Sequence, residues 1–189
     1  MNQRLLAIVS AIVLAVVIAG AIAWYHFGSS HRLTSASQAP IVGKAAVGQP
    51  APPFAVATTD GLFDLSKTEK PVFLEVFATW CPHCQRETVV IDKLYRTYGS
   101  RVDFVGVSGS DTAMDNTSPA SQLDVLNWVQ RFNVRYPVAY DASLNVANSY
   151  LQGGFPTIAI IDKSKMVAYL NSGEIAYNDL ASALQKALR

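Results

Sequence analysis

The chain has 189 residues, half of them apolar, a formal charge of +1 and two cysteines. That length suits one domain with a packed core plus an appended segment, and two full domains would be a squeeze. Charges of both signs are scattered without a basic stripe that could track a phosphate backbone, so nucleic acid is a poor partner.

Residues 5–24, "LLAIVSAIVLAVVIAGAIAW", carry no charge, and at helical rise they match the hydrocarbon thickness of a bilayer. Arg4 precedes the run, and Trp24 and Tyr25 lie where interfacial aromatics belong. Residues 1–27 therefore read as an N-terminal transmembrane anchor. A cleavable signal peptide is the competing reading, since Ala21-Ile22-Ala23 has the small-x-small form of a cleavage site. Either way the rest of the chain crosses the membrane to the extracytoplasmic, periplasmic side. Residues 28–50 are rich in Gly, Ser, Ala and Gln without periodicity and read as a flexible linker, leaving residues 51–189 as the domain.

In that domain, strands alternate with helices. Residues 71–77, "PVFLEVF", form a short apolar run of the kind a central strand buried on both faces shows. Apolar residues at helical spacing predict a helix over 84–98, followed by a strand at 101–108 and a helix at 123–132. A strand at 136–140, a short helix at 144–150, strands at 157–161 and 166–170 and a last helix at 177–188 complete the chain. The order implies an α/β fold with a central mixed sheet flanked by helices on both faces. Trp128 and the 136–140 region read as core.

Both cysteines lie in "EVFATWCPHCQRE", residues 75–87. Cys81 falls where the buried strand ends and a helix begins, near unpaired backbone N–H groups and the positive end of the helix dipole, which favour a thiolate. Pro82 suits the first helical turn, where a missing N–H costs nothing. Cys84 is one turn on, within reach of a disulfide to Cys81. So small a ring adds little stability, and its value is chemical. Structural zinc lacks ligands, because His26 and His31 lie in or beside the linker. A copper site would have to recruit Met114 or Met166. We expect no metal and no organic cofactor.

With "FLEVFATWCPHC", "GGFPTIAIID" and an extra helix and strand between Ser108 and Tyr140, the chain from about Gly48 to Arg189 resembles the thioredoxin superfamily. Within it, the chain is similar to membrane-anchored thiol-disulfide oxidoreductases of the TlpA/ResA/CcmG type. The resemblance implies a thioredoxin-like fold, a redox-active Cys81–Cys84 disulfide, and a cis Pro156 facing it. Trp80, Phe155 and Pro156 would bind substrate, the backbone at Phe155 pairing with an extended segment.

Glu75 and Glu87 align with buried acids of thioredoxins and ResA-like proteins respectively, and either could exchange the proton of Cys84. On physical grounds a carboxylate at Glu75, in a buried strand, should be hard to ionise, whereas Glu87 could equally be a solvated helix residue. His83, between the cysteines, could stabilise the Cys81 thiolate and make the disulfide more oxidising. Pro-His is also the dipeptide of strongly oxidising DsbA-like proteins, so the direction of electron flow stays open here.

The expected function is exchange of protein disulfides, in the reducing direction first, with apocytochrome c as the leading substrate class. A membrane electron donor of the DsbD/CcdA kind would supply a reductant; an oxidising partner would serve the reverse. Two alternatives are a Cu(I)-binding chaperone for oxidase assembly and a peroxiredoxin-like peroxidase. The latter places a Thr three residues before its reactive cysteine, where this chain has Ala78, Thr79 being one residue too late.

Overall fold

The computed structural model describes residues 43–189. The expected anchor over 1–27 and most of the linker lie outside the described residues. Among those described, no helix is long and apolar enough to cross a membrane.

The described strands are β1 (Ala55–Thr58), β2 (Gly61–Asp64), β3 (Val72–Phe77), β4 (Asp103–Ser108), β5 (Val138–Tyr140), β6 (Thr157–Ile161) and β7 (Val167–Ser172). The helices are α1 (Pro82–Tyr98), α2 (Gln122–Arg131), α3 (Asn145–Tyr150) and α4 (Tyr177–Ala187). One mixed sheet runs β2-β1-β5-β4-β3-β6-β7. β3 lies inside it, parallel to β4 and antiparallel to β6. The β1–β2 hairpin was not assigned from sequence: four-residue strands are too short to show a period, and only Gly61, at φ +105, marks the turn.

Every residue of β3 is buried, and strand alternation divides them between two cores. Val72, Leu74 and Val76 pack with Phe54, Val105 and Tyr150, on the face covered by α3. Phe73 and Phe77 face α1, α2 and α4, where Phe77 stacks on Trp128 at 4.3 Å and Phe73 on Phe104 at 4.8 Å. The same alternation sends Glu75, between the two phenylalanines, toward α1.

The linker expected over 28–50 is docked along its last residues. The Ala45 N–H donates to the Ser149 carbonyl, the Gly48 N–H to Val167 and the Ala51 N–H to Lys165, each at 2.8 Å, while Pro50 bridges Met166. Ala45 itself is buried. Residues 45–51 thus pack on the domain, within the stretch expected as linker. Backbone hydrogen bonds hold this arm, and small or polar side chains give no sequence sign of them.

Candidate active site

Cys81 occupies the N-cap of α1 in an extended conformation (φ −77, ψ 117), with Pro82 opening the helix. The helix starts two residues earlier than hydrophobic periodicity marks it, because its first turn is set by the proline and not by an apolar face. The Cys81 side chain makes no capping hydrogen bond, so its sulfur is available for chemistry. Both cysteines are free thiols, Cys81 at 4% exposure and Cys84 at 0%. A substrate sulfur therefore meets Cys81 first. The Cys81 thiol donates to the Phe155 carbonyl at 3.6 Å, and the Phe155–Pro156 bond is cis. β6 begins at Thr157, beside Val76 of β3, and this register brings Phe155 and Pro156 to the cysteine end of the sheet.

The Cys84 thiol is driven well above the ordinary thiol range, first by burial and then by the charge of Glu75. Glu75 is fully buried and accepts a hydrogen bond from the Tyr136 hydroxyl at 2.9 Å on Oε2, while Oε1 has no partner among the described residues. Burial raises its carboxyl to about 8, the Tyr136 bond pulling the other way and the charge of Glu87 adding to the rise. Gly106 sits opposite Glu75 on β4, and a Cβ there would lie 3.0 Å from the Tyr136 ring. Glycine leaves room for that ring to reach the carboxyl. Tyr136→Phe is expected to cost about 1–3 kcal/mol in denaturant unfolding at pH 8 by leaving a buried acceptor unpaired. The same change should raise the Glu75 titration further, which carboxyl NMR would follow.

Glu87 is also buried, on the face of α1 turned to the core, and its Oε2 accepts the Ile175 N–H at 3.1 Å. Its carboxyl rises to about 7, chiefly through burial, with the charge of Glu174 contributing. Two hard-to-ionise acids thus accompany Cys84, one on strand β3 and one on its own helix.

The loop from β3 to α1 is fastened by the first turn of α2 and the segment that precedes it. Thr79 donates to Asp124 Oδ2 at 2.6 Å, and Asp124 Oδ1 accepts the Met114 N–H at 3.0 Å. Trp80 Nε1 donates to Ser110 Oγ at 2.9 Å, and its ring meets Phe155 edge-on at 6.0 Å. Trp80 and Phe155 therefore stand together at the cysteine end of the sheet.

His83 makes its polar contact with a carboxylate from beyond β7. Its Nδ1 lies 2.6 Å from Glu174 Oε1, and Arg86 reaches both oxygens of that carboxylate, Nη2 at 2.6 Å and Nε at 3.1 Å. Hydrogen bonds from Arg86 and then His83 hold the Glu174 carboxyl at about 2. Neither Glu174 nor Tyr136 was found as a site residue from sequence. They lie 91 residues from His83 and 61 from Glu75 along the chain, with no local motif to mark them.

Among the described residues, no group of three or more His, Cys, Asp or Glu side chains is placed to hold a metal ion. Of the two methionines weighed as copper ligands, Met166 follows the far end of β6 from the cysteines, and Met114 lies near Arg131.

The Redoxin family model matches residues 46–185. The thiol-disulfide oxidoreductase ResA of Bacillus cereus is 30% identical over 148 residues, 76% of this chain and 79% of that protein. Among solved structures, a putative thiol:disulfide interchange protein DsbE from Chlorobium tepidum superposes with a TM-score of 0.66 at 23% identity, over 77% of this chain and all of that one. StoA from Bacillus subtilis gives a TM-score of 0.59 at 17% identity, over 72% and 98%. The fold is thus thioredoxin-like. With a thiol pair at a strand-to-helix junction and this kinship, the chain belongs to the Redoxin family, as a thiol-disulfide oxidoreductase of the TlpA/ResA/CcmG type.

Proposed function

We propose that the protein is a membrane-anchored, extracytoplasmic reductant of protein disulfides, with apocytochrome c as its substrate class and a membrane dithiol protein of the DsbD/CcdA kind as its electron donor. The observation that carries the reading is the buried Cys84 thiol accompanied by Glu75 and Glu87. A resolving cysteine so reluctant to ionise needs a nearby proton acceptor.

Cys81, as its thiolate, attacks one sulfur of the substrate disulfide. The substrate's other sulfur leaves with the bond's electron pair and takes up a proton. Cys84 then gives its proton to Glu75 or Glu87 and attacks Cys81 Sγ, which expels the second substrate sulfur as a thiol once it too is protonated. The substrate gains two electrons and two protons, and the protein is left with the Cys81–Cys84 disulfide. Two electrons from the membrane donor reset it. Trp80, Phe155 and Pro156 would hold the substrate chain, the Phe155 backbone pairing with it. Residues 5–24 would keep the domain beside its donor.

The equilibrium potential of Cys81–Cys84 against glutathione tests the direction. A reductant is expected near thioredoxin, about −270 mV, and a value near the DsbA figure of about −120 mV removes the reducing assignment.

A further inference from the structure

The exposed rim beside Cys81 carries an imidazole, a guanidinium and a carboxylate in a closed arrangement. His83 Nδ1 and Arg86 Nη2 both lie 2.6 Å from Glu174 Oε1, and 3.0 Å from each other. A short contact from Nδ1 to a carboxylate oxygen that also receives the guanidinium requires a proton on Nδ1. The approach of Arg86 to His83 is then two donors sharing one acceptor, not a bond between them. Both side chains are thus committed to Glu174, which comes from the turn after β7. Gly173, at φ +91, makes that turn, and the residue after Glu174, Ile175, gives its N–H to Glu87.

We propose that Glu174 is a positioning residue that offsets the charge of Arg86, holds the His83 Nδ1–H, and so makes the Cys81–Cys84 disulfide less oxidising than its Pro-His dipeptide alone would dictate. The physical chain is short. Reduction adds two electrons and two protons to the disulfide, and whatever fraction of Cys81 then releases its proton bears a negative sulfur. Cations close to that sulfur favour the reduced form and raise the oxidising power of the couple. Arg86 and Cys81 interact electrostatically, and His83 is only two residues from Cys81. An anion bound to Arg86 and to the His83 N–H offsets that attraction. As a stability device the cluster counts for little, since all three side chains are substantially exposed. Its place beside the reactive sulfur makes it electrostatic in function. This inference rests on Cys81–Cys84 being the redox couple. It deepens the reducing assignment, and is read as a difference between variants, independent of the absolute potential that tests that assignment.

The experiment compares glutathione equilibria at pH 7 for Glu174→Gln in two backgrounds, wild type and His83→Ala/Arg86→Gln. In the wild-type background the equilibrium constant is expected to move toward the reduced protein by about three- to tenfold, a range typical of one nearby surface charge. Tenfold corresponds to about 30 mV. In the doubly substituted background the shift should fall below about twofold, and in the wild-type background it should shrink at 1 M salt as screening increases. A loosened turn acting through Ile175 and Glu87 would instead move both backgrounds equally. That result, or no shift in the wild-type background, overturns the proposal.

Discussion

Cys84→Ser is expected to trap substrate: Cys81 still attacks, but no second sulfur resolves the adduct, and a covalent complex accumulates on the timescale of a single turnover. Cys81→Ser should form none and lose exchange activity by on the order of a thousandfold or more, because the nucleophile itself is gone. The asymmetry follows from placement. Cys81 is the N-cap residue of α1, its sulfur lying against the Phe155 carbonyl, while Cys84 has no exposed surface. Non-reducing electrophoresis after mixing with a disulfide-bonded protein reads both outcomes. Equal trapping by the two variants would contradict this order of attack.

Glu75→Gln is expected to stabilise the protein at alkaline pH while slowing it. The carboxyl keeps its proton in the folded state up to about 8 and in the unfolded chain only to about 4.5. Between those values the native state binds more protons, so stability conferred by the protonated acid is complete below 4.5 and is lost as pH rises to 8. The full loss is at most about 5 kcal/mol at about 1.4 kcal/mol per pH unit. Glutamine removes that dependence but buries amide N–H groups at a cost of about 1–3 kcal/mol, leaving a net gain of roughly 2–4 kcal/mol at pH 8. At pH 5 the variant should be no more stable than wild type. Urea unfolding at the two pH values reads the difference, and a Glu75→Gln variant that is less stable at pH 8 would contradict the burial argument.

Turnover should move the other way. Glu75 and Glu87 become bases as pH rises through about 7 to 8, so the resolving step of wild type should accelerate over that window. Glu75→Gln should lose the upper part of this rise and slow resolution by about a hundredfold at pH 8, within the range of general base effects.

Much of this was legible in the chain. The order of strands and helices from residue 71 onward followed from apolar periodicity, and the position of Cys81 followed from a buried run ending just before Pro82. Strand alternation alone puts Glu75 on the face of β3 opposite that of Leu74 and Val76. Rules of this kind act between adjacent residues, so they can be read without knowing what packs above. The β1–β2 hairpin and the docked arm escaped because neither has a run long enough to show a period.

What the sequence by itself determined is the placing of the cysteine pair, its helix start and the face of the sheet its buried acid takes, because each is set by residues within a few positions of one another. Only the tertiary structure decided what surrounds them. Tyr136 reaches Glu75 through the gap left by Gly106, Ile175 supplies the N–H that meets Glu87, and Glu174 engages both His83 and Arg86. The docked arm from Ala45 to Ala51 belongs with them. All four are contacts between residues far apart in the chain, made by hydrogen bonds or ion pairs, and such pairings have no period or spacing for a sequence to display.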